Sequence, residues 1–237
     1  MLLRSSLHLG LLGLLLFFAP ACEPAIAAEA QDALSGGDGT TVDGIVFVHG
    51  IAGSGSDWDT MVERLKNDGW AEDRLIAGSL ADPTWGSNTR NAEQIAAWVQ
   101  ELADRGAQRI AVVAHSMGGL SSRYYLQRLG GSSKVAVFVT LGTPHHGLIT
   151  SCLSPVPVRN WQELCAWGPF ISDLNTAPAT PGPTRWVSIF STSDAIIAAS
   201  SSRLDGAQNI ELEGIGHDGK KGLQRSALVY QRLKDAL

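Results

Sequence analysis

Six short, largely apolar runs constrain the fold more than any other feature of the sequence. They are "GIVFVHG" near residue 45, "RLIAGSL" near 75, "RIAVVAH" near 110, "KVAVFVTLG" near 135, "RWVSIFS" near 187 and "NIELEG" near 210. Runs that are apolar throughout suit strands covered on both faces. Helical patterns lie between them. "SDWDTMVERLKNDGW" puts Trp58, Met61, Val62 and Leu65 on one face, with Ser56 or Asp57 as cap. "NAEQIAAWVQELADRG" aligns Ile95, Trp98, Val99 and Leu102 and closes on Gly106. "MGGLSSRYYLQRLGG" and the terminal "GLQRSALVYQRLKDAL" read as further helices. Strand and helix in alternation imply a mostly parallel sheet with right-handed crossovers. At 237 residues the chain has room for one such domain, expected over residues 44–237.

One stretch breaks the alternation. Residues 143–183 hold seven of the ten prolines, and no long element fits through them. Long irregular segments in compact domains are commonly functional, and this one follows a strand at the edge where ligands of α/β folds bind. It also contains Cys152 and Cys165, which would close a short loop by a disulfide; two free thiols are the alternative.

The start of the chain reads as an export segment. Arg4 precedes an apolar run from Leu9 to Phe18, too short to cross a bilayer, and small residues follow. Ala25-Ile26-Ala27 offers a cleavage site, giving a signal peptide over 1–27 and a polar, glycine-rich lead-in over 28–43. The expected product is secreted or periplasmic. The alternative is a lipoprotein anchored through Cys22 after Ala19-Pro20-Ala21, although a lipobox usually has leucine where Ala19 stands. A net charge of -5 gives no basic field for nucleic acid.

The stretch "VVAHSMGGL" carries the chemistry. An apolar strand runs into a serine flanked by small residues and then a helix, the spacing of the nucleophile elbow G-x-S-x-G with Ala114 in place of the first glycine. Five residues with one departure decide little alone, because a buried structural serine before a helix is also common. As a nucleophile Ser116 needs a base and an acid, in the chain order serine, acid, histidine. His217, in "GIGHDG" between the last strand run and the terminal helix, stands where that base belongs. His145 and His146 come too early and read as wall or structural residues. Of the carboxylates Glu163, Asp173, Asp194, Asp205, Glu211 and Glu213, Asp194 directly follows a strand run among apolar neighbours, where a buried carboxylate needs a partner. Asp173 is the runner-up, and Asp205 looks like a turn residue. The oxyanion hole would take one N–H from Met117 and one from the loop "VHGIAGSGS", at Ile51.

Taken in order, "VFVHGIAGS", "VVAHSMGGL", "TLGTPHHG", "SIFSTSDAII" and "SSRLDGAQNIELEGIGH" resemble the small secreted bacterial triacylglycerol lipases of the lipase class 2 family, over residues 44–225. The alanine-for-glycine elbow is itself a trait of that family. The resemblance implies a minimal α/β-hydrolase with a six-stranded parallel sheet in the order 2-1-3-4-5-6 and helices on both faces. It puts the nucleophile at Ser116, the acid at Asp194, the base at His217 and the oxyanion donors at Ile51 and Met117. Ile51, Met117, Ile196 and Ile197 are candidate lining for an acyl pocket, with core packing the commoner role for any one of them. The expected enzyme is a monomer that cleaves lipid or other esters at a lipid–water interface, without cofactor or metal. A short-chain carboxylesterase, thioesterase, polyester depolymerase, amidase or non-catalytic binding module of the same fold are the rival readings.

Overall fold

The computed structural model describes residues 41–155 and 157–237. The signal segment 1–27, Cys22 and most of the lead-in lie outside the described residues. The end of the lead-in is already in place: Val42 is packed in the core, and the Asp43 carboxylate accepts the N–H groups of Gln108 and Arg109.

All six apolar runs form strands: β1 (Gly44–Val48), β2 (Leu75–Ala77), β3 (Ile110–His115), β4 (Val135–Leu141), β5 (Arg185–Ser191) and β6 (Gln208–Leu212). They pair in parallel in the order β2-β1-β3-β4-β5-β6, as expected. The helices between them are α1 (Asp59–Asn67), α2 (Asn88–Asp104), α3 (Met117–Arg128), the short α4 (Ile149–Cys152), α5 (Arg159–Gln162) and α6 (Pro169–Leu174), then α7 (Ala199–Ser202) and α8 (Ala227–Ala236).

Successive strand residues point to opposite faces, and both faces are apolar. Ile45, Phe47, Val113, Val139 and Ile189 pack against Trp58, Met61 and Leu65 of the α1 region and against Val229 and Leu233 of α8. Val46, Val48, Val112, Ala114 and Phe138 pack on the other side against Ile95, Val99 and Leu102 of α2 and Tyr125 and Leu126 of α3. The continuous apolar runs therefore reflect a sheet sandwiched between two helical layers. β6 departs from this. It is an edge strand, largely exposed apart from Leu212, so its polar residues Gln208, Asn209 and Glu211 face outward.

Local chemistry shifts two helix starts. A 3-10 turn over Gly55–Trp58 precedes α1, and its cap is Ser54, not Ser56 or Asp57. Asp57 acts from the other end, its Oδ2 accepting the Ser54 N–H at 3.0 Å. The terminal helix begins at Ala227, because Ser226 takes the Val229 N–H on its hydroxyl as N-cap.

The proline-rich segment is tied down at several points. Cys152 and Cys165 form a disulfide, and Leu148 exchanges backbone hydrogen bonds with Leu164 and Ala166. Leu164, Ile171 and Leu174 bury against Met117 and Leu120 of α3. Arg123, fully buried in α3, donates to the Leu174 carbonyl at 2.8 Å and to Asn175 Oδ1. Its partners are uncharged groups, the His145 ring and carbonyl among them, and burial, with the nearby charge of Arg128, lowers its pKa to about 10. This guanidinium pins the far end of the segment to the helix that begins at Ser116.

Candidate active site

Every strand ends at the same edge of the sheet, and the loops after β1, β3, β4 and β5 meet there. Ser116 stands between β3 and α3 with φ 54° and ψ -130°, in a region that L-residues rarely adopt. Its N–H still bonds the Leu141 carbonyl at the end of β4, while its carbonyl accepts from Gly119 inside the helix. The flanking residues are small because backbones converge here. A Cβ on Gly118 would run into the His49 carbonyl oxygen, and one on Gly119 into Thr143. Ala114 has no exposed surface and packs within the sheet layer, so a methyl group is accommodated where glycine is usual.

The three sequence candidates come together. His217 Nε2 lies 2.9 Å from Ser116 Oγ, and His217 Nδ1 lies 2.7 Å from Asp194 Oδ2. An ionised carboxylate only accepts, so Nδ1 carries the proton and Nε2 is free to accept from the serine hydroxyl. Asp194 Oδ1 takes the N–H groups of Ile196 and Ile197, both at 2.8 Å. Burial pushes the Asp194 carboxyl up, but its bonds to His217, Ile197 and Ile196 outweigh that and hold it below the usual carboxylate range. The other carboxylates serve elsewhere. Glu163 accepts from Asn88 N and Nδ2 at the start of α2, Asp173 pairs with Arg128, and Glu211 pairs with Arg203.

The loop after β1 is set by a second histidine. His49 is buried; its Nε2 accepts the Leu80 N–H at 2.9 Å, which leaves Nδ1–H to donate to the Gly50 carbonyl at 2.8 Å. Ala52 in this loop has φ 54°, and it and Ser116 are the two non-glycine residues with positive φ among the described residues. The Ile51 and Met117 N–H groups donate to no backbone acceptor outside the regular elements among the described residues. Both belong to segments that border Ser116, as an oxyanion hole requires.

A cavity of about 490 Å³ opens over Ser116 and His217, with Ile51, Asp57, Ile196 and Gln224 in its walls. An adjoining apolar groove of about 590 Å³ shares Ile51 and Ala52 with it and runs to Thr150, Val158 and Trp161 of the proline-rich segment. Two of the candidate acyl-lining residues take the alternative role of core packing. The Met117 side chain is buried between α3 and the proline-rich segment, and Ile197 is turned inward by the Asp194 bonds, so neither side chain lines the cavity. Ile51 and Ile196 do. Val158 and Trp161 were not foreseen, since nothing local in "VPVRNWQELC" tells a groove wall from a core contact.

His115 and His145 are buried and play different parts. His115 Nε2–H donates to the His217 carbonyl at 3.0 Å, and the two rings lie 4.5 Å apart. His145 Nε2 meets Thr140 Oγ1 at 3.0 Å, away from the cavity; His146 is exposed. Burial, then the charge of His217, lowers the His115 pKa from 6.5 to about 3. Burial and the charge of Arg123 lower that of His145, and burial lowers that of His49. A folded imidazole with a depressed pKa binds fewer protons than the unfolded one, so stability is expected to fall as pH drops below about 6.5. For His115 alone the loss by pH 5 is about 2 kcal/mol. Thermal melts at pH 7 and pH 5 check this, and equal midpoints would contradict neutral burial of these rings.

Among the described residues no group of three or more His, Cys, Asp or Glu side chains could hold a metal ion, and no helix is long and apolar enough to cross a membrane.

Comparisons with known proteins agree with this geometry. The family model described as "Putative serine esterase (DUF676)" matches residues 43–164. A triacylglycerol lipase of Pseudarthrobacter phenanthrenivorans is 32% identical over 111 residues, 44% of this chain and 33% of that protein. One of Burkholderia plantarii is 32% identical over 111 residues, 44% of this chain and 30% of that protein. The chain thus spans about a third of the length of the curated relatives it matches. In structure it is similar to the mature form of the Bacillus licheniformis lipase BlEst2, with TM-score 0.66, 20% identity, and coverage of 82% of this chain and 91% of that one. That likeness shows an α/β-hydrolase fold.

Proposed function

This chain belongs to the DUF676 serine esterase family, and on that premise we propose that it hydrolyses carboxylic esters of lipid acids, acylglycerols in particular, through an acyl-enzyme. The observation that carries this reading is the unbroken line of hydrogen bonds from Asp194 through His217 to Ser116 on the floor of an open cavity. Ser116 Oγ attacks the ester carbonyl as His217 Nε2 takes its proton, and Asp194 holds the imidazole in register and stabilises its charge. The Ile51 and Met117 N–H groups receive the developing oxyanion. The imidazolium then protonates the departing alcohol, and water releases the acid by the same steps in reverse.

The apolar groove ending at Trp161 supports a fatty acyl chain over an acetyl group. Exposed Ile149 and Leu153, next in sequence to groove-lining Thr150 and Ser154, and exposed Ile196 support action at a lipid surface. The reading includes export. The N-terminal apolar segment supports it, as does a disulfide of the kind that persists in oxidising compartments.

A series of nitrophenyl esters from acetyl to long acyl chains, followed by emulsified triacylglycerol, tests the substrate class. We expect kcat/KM to rise with chain length into the medium range and the emulsion to be cleaved. A maximum at acetyl with no action on the emulsion would make the protein a short-chain carboxylesterase.

A further inference from the structure

The cavity over Ser116 has two unlike sides. Toward the proline-rich segment it meets the apolar groove of Ile51, Ala52, Val158 and Trp161. On the His217 side the wall is polar and comprises Asp218, Gly219, Gln224 and Arg225. A tight reversal brings Gln224 there. The Gly216 N–H donates to the Lys221 carbonyl at 3.0 Å and the Leu223 N–H returns to the Gly216 carbonyl at 3.1 Å, so the residue after Leu223 lies back beside His217. Gln224 is only 7% exposed, and its Nε2 is buried without a hydrogen-bond partner among the described residues. Buried amide groups are ordinarily paired, and Gln224 borders the cavity with its Nε2 unpaired, so a turn of this side chain would offer the amide to a group that arrives with the substrate.

The chemistry fixes which part of the substrate meets this wall. His217 Nε2 must hand its proton to the alcohol oxygen, so the alcohol half of the ester lies on the His217 side while the acyl chain leaves by the groove. The wall itself carries one charge of each sign, Asp218 and Arg225, and so favours neither an anionic nor a cationic headgroup. Asp57 across the cavity adds a negative charge, its carboxylate accepting the Ser54 N–H. Further acyl chains on the alcohol would have to lie along these polar groups and strip them of water, which is unfavourable. Building on the ester-hydrolase reading above, we propose that the wall is a subsite for an uncharged polyol and that Gln224 is its specificity-determining residue. The preferred substrate is then a mono-acyl ester of a polyol, whose free hydroxyls bond the Gln224 amide.

The test compares 1-monooctanoylglycerol, ethyl octanoate and trioctanoylglycerol, each in the same detergent micelles, with the full chain and with Gln224→Met, which keeps the side-chain length and removes the amide. For the unaltered chain, kcat/KM on the monoacylglycerol should exceed that on the ethyl ester by about 3- to 10-fold, the effect of one hydrogen bond, and should exceed that on the triacylglycerol. In Gln224→Met the monoacylglycerol-to-ethyl ratio should fall toward one, mainly through KM. An unaltered chain that prefers the ethyl or triacyl ester overturns the proposal, as does a ratio that survives the substitution. Gln224→Leu serves if the methionine variant does not fold, and the preference of the unaltered chain decides if neither does. Cleavage of no ester by a folded chain would overturn the ester-hydrolase reading too, and failure of Ser116 to react with a fluorophosphonate distinguishes that result.

Discussion

Ser116→Ala is expected to lower kcat on any ester the chain cleaves by roughly 10⁴- to 10⁶-fold, with little change in thermal stability. The hydroxyl makes one hydrogen bond, to His217, and alanine inherits the same strained backbone position, so fold and cavity stay as they are. What is lost is the only atom that can form the acyl-enzyme. The residual rate would come from the Ile51 and Met117 donors acting on bound substrate and water. Single-turnover kinetics with a chromogenic ester, alongside fluorophosphonate labelling of the unaltered chain and the variant, measure this. Retained burst and labelling in Ser116→Ala would put the nucleophile elsewhere and end the mechanism proposed here.

Asp194→Asn should cost about 10⁴-fold in kcat while changing the volume of the site very little. An asparagine can present its amide N–H to His217 Nδ1, which fixes the opposite tautomer and turns Nε2 into a donor that cannot accept the serine proton. The pH response separates this from simple disruption. Because the bonds from His217, Ile197 and Ile196 keep the Asp194 carboxyl below its usual range despite burial, its contribution to stability is complete above the unfolded carboxylate pKa. That contribution is lost as pH falls through the lowered folded value. Unaltered chain and variant should therefore differ in stability near neutrality and converge in acid. A variant with near-normal kcat would show that Asp194 does not orient the base.

The strands were legible because a sheet covered on both faces leaves apolar runs that need no periodicity to stand out, and "RIAVVAH" became β3 residue for residue apart from Arg109. The two helix starts were less so. Ser54 and Ser56 differ in sequence by two places, and which of them caps depends on where the Asp57 carboxylate turns. At the site, Ser116, Asp194 and His217 could be picked out because each follows a strand at the same sheet edge, and strand ends are readable. Ile197 could not be told from Ile196, since a turn made by two N–H bonds to one carboxylate decides which of the two faces outward. Gln224 carried no local signal. It lies seven residues beyond His217, a distance that matters only once the chain has reversed at Gly222.

Ser116 and His217 are separated by 101 positions, and the three strands β4, β5 and β6 intervene between them. The elbow exists as soon as β3 and α3 are packed, yet it has no base until the far edge of the sheet has docked and the loop after β6 has swung back across it. A chain in which β6 has not yet docked therefore holds the serine of the elbow without its base. On the proposed mechanism reactivity is then a late event, set by completion of the sheet itself.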